Sequence, residues 1–214
     1  MYAISLGGDG AELRPLEPWR AEEFLAHVDR GRELIGRYIG LADAVTDLES
    51  SRAFLQSYAE KTAADAGRIH GIWSEMGACE AFCACPHRSG AGVPQDSDGK
   101  LVGGVLFRTM DVPAGNAEAG CWLEPSAVGK GLVTRAARVI IDWAIDERGI
   151  HRVEWRVAAA NEASIAVARR LGMTKDGVLR ESHPHRGTRY DVEIWSVLAP
   201  EWRAARVGGI GVPR

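Results

Sequence analysis

Ser126-Ala127-Val128-Gly129-Lys130-Gly131-Leu132-Val133-Thr134 is the stretch on which the reading of this chain turns. The short apolar run Gly120-Cys121-Trp122-Leu123 precedes it and reads as a strand. Residues 132–148 follow with apolar positions at helical spacing. A Gly-x-Gly at a strand-to-helix junction has a physical use, because glycine lets the backbone turn tightly with no Cβ in the way. The first helical turn then presents unpaired N–H groups at the positive end of the helix dipole. Together they form an anion site suited to a pyrophosphate. A lone Gly-x-Gly also occurs at ordinary helix starts, so the surrounding chain has to decide.

Downstream, Val133, Ala136, Ala137, Ile140 and Ala144 fall on one face of the helix, and Gly149 stands where a C′ glycine would end it. Arg138 and Asp142 lie four apart on the outer side. Residues 152–157 alternate as a strand. Asn161 is a natural N-cap for a helix over 162–171 that Gly172 terminates. Residues 178–179 and 191–198 read as two last strands, joined through a turn at His185-Arg186-Gly187. Residues 201–214 read as a tail without a core of its own. Upstream, strands are expected at 12–16, 69–73, 101–108 and 118–123. Helical pieces are expected at 21–28 and 33–39. Thr46-Asp47-Leu48-Glu49 has the capping-box pattern and predicts a helix running to about residue 64.

Residues 76–99 interrupt this rhythm with Cys79, Cys83, Cys85 and His87, followed by a Ser/Gly/Pro/Asp-rich run. Four potential zinc ligands are present, but the spacing matches no familiar finger and a second Cys-x-x-Cys knuckle is missing. Reduced cysteines in a loop insert are the expectation, with no metal. The 214 residues, 46% apolar and 26% charged, fit one soluble α/β domain over 1–214 that carries this insert. A net charge of −3 argues against nucleic acid as a partner. No apolar run reaches membrane-spanning length, and the N-terminus lacks the basic region of a signal peptide, so a cytoplasmic protein is expected.

The second half of the chain resembles the GNAT superfamily of acyl-CoA-dependent N-acyltransferases, and within it the RimJ/RimL ribosomal-protein N-acetyltransferases. The resemblance rests on Gly120-Cys121-Trp122-Leu123-Glu124 with Gly129-Lys130-Gly131 behind it, and on Asn161-Glu162-Ala163-Ser164 through Leu171-Gly172-Met173. It also rests on Gly177-Val178-Leu179-Arg180-Glu181 and on Tyr190-Asp191-Val192. It implies a GNAT fold: a mixed, twisted central sheet, splayed between its fourth and fifth strands at the acyl-CoA site and flanked by helices. It implies that the amides of Val128, Gly129, Lys130, Gly131, Leu132, Val133 and Thr134 hold the pyrophosphate of acetyl-CoA. The strand at Cys121, Trp122 and Leu123 would pair with the pantetheine, and Asn161 would lie beside it. Where the family often has Gln or Arg three residues before the first loop glycine, this chain has Ser126. Lys130 inside the loop supplies a cation instead.

Acyl transfer from a thioester to an amine needs a free amine, a polarised carbonyl and a protonated leaving thiolate. The resemblance puts Ser164 beside the coenzyme A sulfur as the acid, although a serine at the third helical position also satisfies an N-terminal amide. His183 stands where RimL-like proteins often have a carboxylate, and Glu181 is the alternative base. Glu193 reads as a satisfied strand residue, and Cys121 as a small core residue, since direct transfer needs no acyl-enzyme. An α-amine (pKa near ~8) suits an imidazole base better than a lysine amine (near ~10.4) does. The expected activity is therefore N-acetylation of a protein N-terminus. A small-molecule amine acceptor and a coenzyme-A-binding module without turnover stay open, as does a homodimer.

Overall fold

The computed structural model describes residues 3–7, 10–75 and 99–207. The Cys79, Cys83, Cys85 and His87 cluster lies outside the described residues. The elements are β1 (Ile4–Ser5), β2 (Glu12–Pro15), α1 (Ala21–Ile35), α2 (Leu41–Ala44), α3 (Leu48–Ala63), β3 (Arg68–Ser74), β4 (Lys100–Asp111) and β5 (Asn116–Leu123). They continue with α4 (Leu132–Glu147), β6 (Arg152–Ala158), α5 (Glu162–Arg170), β7 (Thr174–His185), β8 (Thr188–Leu198) and α6 (Ala199–Val207).

The strands form one sheet in the order β1-β2-β3-β4-β5-β6-β8-β7. Every neighbouring pair is antiparallel except β5 and β6, which run parallel. Alternation along the strands separates two cores. Val102, Val105 and Ile72 pack toward α4, with Ile140, Ile141 and Trp155. Leu101, Ile69 and Trp122 pack toward α1 and α3, with Phe24, Val28 and Leu55.

The parallel ladder is short. It runs from Asn116↔Arg152 to Ala119↔Trp155 and stops. Beyond that point β5 stays paired with β4 as far as Leu123, and β6 with β8 as far as Ala158. The two strands therefore fork, with Gly120–Leu123 on one arm and Arg156–Ala158 on the other. This is the expected splay: β1 lies outside the expected strands, so the fourth and fifth of those are β5 and β6 here.

Four expectations need correction. The helix after residue 20 does not break in two. It continues through Gly31, where a Cβ would stand 2.8 Å from the Ile35 side chain and 3.4 Å from the Glu124 Cα. Glycine is there for close approach to the sheet and does not end the helix. The box that starts α3 is Asp47 with Ser50, each side chain bonding the other's backbone N–H; Thr46 and Glu49 do not form it. β7 spans twelve residues where two were expected, because it is an edge strand exposed along most of its length and shows no apolar alternation. The supposed tail contains α6, which docks through Ala199 and Trp202. The turn between β7 and β8 stands as expected: Arg186 (φ 46°) and Gly187 (φ 81°) form a two-residue loop with the positive φ values such hairpins use.

Candidate functional site

The fork opens toward the start of α4. Helix α3 is closed by the Asp47 side chain and α5 by Asn161, whereas α4 begins on Gly131 with no side-chain cap. Gly129 (φ 84°) and Gly131 (φ 71°) both occupy the left-handed region, and no atom lies within 4 Å of where their Cβ would be. The first turn of this 16-residue helix thus receives no cap from its N-cap residue, at the positive end of the helix dipole. Val128, Gly129 and Lys130 are exposed, Thr134 is half-buried, and the side chains of Leu132 and Val133 are buried in the core. Only the backbone of those two can serve a ligand.

On β5 the side chains alternate across the sheet. Cys121 and Leu123 are half-buried against the α4-side core. Burial pushes the Cys121 thiol up to about 12, so it is held as an unreactive thiol. The Trp122 indole points the other way into the α1/α3 core, over Gly104, where a Cβ would come within 2.2 Å of the ring. Trp122 can therefore offer the fork only its backbone.

On the other arm, Asn161 Oδ1 accepts from the Ser164 backbone N–H (3.2 Å), so the cap role is realised. Trp155 Nε1–H donates to Ser164 Oγ (2.9 Å). Ser164 keeps its own hydroxyl proton to give, and a donor behind the oxygen makes that proton easier to release.

His183 lies on β7 next to a bulge. Leu179 pairs with Val192 and His183 with Tyr190, so β7 carries two more residues over this step than β8. Within the bulge, Glu181 is exposed and adopts φ 49°. Asp191 Oδ1 accepts from its N–H (2.8 Å), and its carbonyl accepts from Arg189 (3.2 Å). A non-glycine residue held in this region marks a place where the sheet aims a side chain out of register. His183 Nε2 lies 3.0 Å from the Tyr38 carbonyl oxygen. A carbonyl only accepts, so Nε2 carries the proton and the neutral ring keeps its lone pair on Nδ1. His185 repeats the pattern on the Gly36 carbonyl (2.8 Å), and the two imidazoles stack at 5.6 Å. Tyr38 stacks edge-on to Tyr190 at 5.8 Å, and its hydroxyl donates to Ala160 O (3.0 Å), one residue before Asn161. Tyr38 thus bridges the His183 strand and the Ser164 helix. Glu193 is instead engaged by Lys175 (2.5 Å) and Trp195 (2.8 Å), the satisfied strand residue expected.

Glu124, the residue that follows β5, is given no role by the sequence alone. It is 2% exposed and takes four partners: Arg30 (3.0 Å), His27 (3.3 Å), Lys100 (3.0 Å) and Ser126 (2.5 Å). Burial opposes its ionisation, but these four donors together hold its pKa well below the usual carboxylate range. Trp122 Nε1–H donates to His27 Nε2 (3.0 Å), so the His27 proton sits on Nδ1 and faces Glu124. Burial keeps His27 neutral by lowering its pKa against the pull of Glu124. Among the described residues no group of three His, Cys, Asp or Glu side chains is placed to hold a metal ion.

Residues 11–174 match the acetyltransferase (GNAT) domain family. Two Bacillus subtilis proteins align over nearly the whole chain. YdaF, which carries the provisional name of ribosomal N-acetyltransferase, is 25% identical over 91% of this chain and 94% of its own length. YjcK, provisionally named an N-acetyltransferase, is 27% identical over 92% and 98%. Among solved structures, the ribosomal L7/L12 alpha-N-protein acetyltransferase RimL in complex with coenzyme A superposes with a TM-score of 0.77. It covers 92% of this chain and 97% of its own at 18% identity, a likeness of fold.

Proposed function

This chain belongs to the GNAT acetyltransferase family and is an acyl-CoA-dependent acetyltransferase; from that premise we propose that it transfers an acetyl group from acetyl-CoA to the α-amine of a protein N-terminus. The observation that carries the donor half of this reading is the β5–β6 fork, which ends beside an uncapped, glycine-initiated α4. The unpaired arm of β5 can hydrogen-bond the amides of the pantetheine, and the first turn of α4 can take the pyrophosphate. That the solved RimL structure is a complex with coenzyme A supports coenzyme A as the donor carrier.

In the proposed reaction the amine nitrogen attacks the thioester carbonyl carbon, with the carbonyl oxygen polarised by a β5 backbone N–H. His183 Nδ1, the atom left with a lone pair, takes the proton from the amine directly or through a water. The C–S bond breaks, and the Ser164 hydroxyl, backed by the Trp155 indole, protonates the departing thiolate. An imidazole matches an amine that is already partly free at neutral pH. The provisional name of YdaF, and the L7/L12 alpha-N-protein acetylation for which RimL is named, support a protein acceptor.

Thiol release is to be measured with peptides bearing a free N-terminus, with Nα-blocked lysine peptides and with small amines, and the products read by mass spectrometry. The expected result is turnover with the free N-terminus. Ser164→Ala should lower kcat by about tenfold or more with little change in acetyl-CoA affinity, since its bond forms as the thiolate leaves. His183→Ala should lower kcat/KM and remove the acidic limb of the pH profile. A wild-type rate and profile in His183→Ala would move the base to Glu181. Absence of thiol release with every amine would leave a binding module.

A further inference from the structure

We infer that Glu124 is a positioning residue for acyl-donor binding, its buried carboxylate tying the free arm of β5 and the start of the glycine loop to α1 and β4. This rests on the donor site proposed above. The need for such a tie follows from the fork. A strand inside a sheet is normally held by ladders on both edges, but from Gly120 onward β5 has only β4. The donor would bind along the edge that is left open. Something other than a second ladder has to fix that arm before the ligand arrives, or binding would have to order it.

Glu124 sits where this can be done. Its backbone N–H donates to Val102 O (2.9 Å), which prolongs the β4 ladder by one bond. One carboxylate oxygen takes Arg30 and His27 from α1, and the other takes Lys100 from β4 and the Ser126 hydroxyl from the loop. Arg30 also donates to Leu101 O (2.9 Å). His27 passes the link back to the indole of Trp122, two residues up the same arm. Gly31 lets the α1 backbone come close enough for this contact. Ser126 is the loop's share of the cluster. Three elements and the loop thus converge on one buried charge. Removing one member of such a cluster unbalances the rest.

The direction of the effect identifies the role. Coenzyme A is a polyanion, so deleting a nearby negative charge should tighten its binding if only Coulomb attraction counts. Positioning requires the reverse. In calorimetric titrations with coenzyme A, Glu124→Gln should raise the Kd about tenfold, and Ser126→Ala, which cuts only the loop's tether, about threefold. The KM for the acceptor peptide should stay within about twofold of wild type in both. Hydrogen exchange at residues 120–131 should quicken in Glu124→Gln while that of β8 does not change. Unchanged or tighter coenzyme A binding in a cooperatively folded Glu124→Gln protein overturns the inference. If that variant does not fold, unchanged affinity in Ser126→Ala overturns it. Gly131→Val tests the donor site itself: its φ of 71° makes valine strained there, and unchanged affinity in that variant sinks the donor site along with the inference.

Discussion

At residue 70 an imidazole stands 4% exposed in β3, opposite Val105, and its Nδ1 has no hydrogen-bond partner among the described residues. Burial first, and then the Arg68 charge, lower its pKa from 6.5 to about 4. Unfolded chains take up this proton as pH falls through about 6.5, and the folded protein resists it down to about 4. Stability contributed by a neutral His70 is therefore complete above that window and lost as pH falls through it, by about 3 kcal/mol. Urea unfolding from pH 7 to pH 4 should show His70→Asn losing less stability than wild type over this range; equal losses would count against the buried neutral state. At this scale the site is legible in the sequence where its contacts are local. Asn161 caps Ser164 three residues away, and the spacing alone points to both. The Glu124 cluster joins residues 97, 94 and 24 positions apart, and no local pattern announces it. The proton on His183 Nε2 is set by a carbonyl 145 residues away, equally out of view.

Elements are legible in proportion to how much of their surface is buried. Helix α4 buries eight residues at helical spacing, and its face is plain in the sequence. Helix α6 buries only Ala199 and Trp202, too few to make a stripe, so its sequence reads as a tail. Yet Trp202 is 6% exposed, belongs to the α4-side core, and donates to Asp142 (2.7 Å), which Arg206 also reaches (2.9 Å). Asp142 thus serves α6, while Arg138 donates to Arg170 O (3.1 Å); the two outer residues do not pair. Trp202→Ala should cost about 3–5 kcal/mol in denaturant unfolding, as truncation of a large core aromatic does. Coenzyme A affinity should be unaffected, because α6 lies on the far end of β8 from the fork. A loss below about 1 kcal/mol would mean that α6 is not docked in solution.

On the scale of the whole molecule, the mixed sheet and its flanking helices follow from strand and helix order. The fork comes only from family resemblance, since no residue pattern says where a parallel ladder ends. The insert at 76–99 leaves β3 and returns to β4 with Ser74 and Lys100 already paired in register, so a short turn can span the gap. Shortening residues 78–97 should keep cooperative unfolding and a coenzyme A Kd within about twofold, provided Lys100 is retained. Stoichiometric zinc in the full-length protein, with unfolding on chelation, would show the cysteines to be ligands instead. The fork has one more consequence. An unpaired strand edge is adhesive to any extended chain, and a sheet ordinarily has two. This one has four. The outermost, β7, is blunted by Lys175, Asp176, Pro184 and its bulges, the usual guards against a stranger's strand. Of the two inner edges, Gly120–Leu123 carries no charge and no proline, and Arg156–Ala158 has only the exposed Arg156. A slender chain with peptide-like amides suits such edges, because it brings N–H and C=O groups to them without bulky side chains.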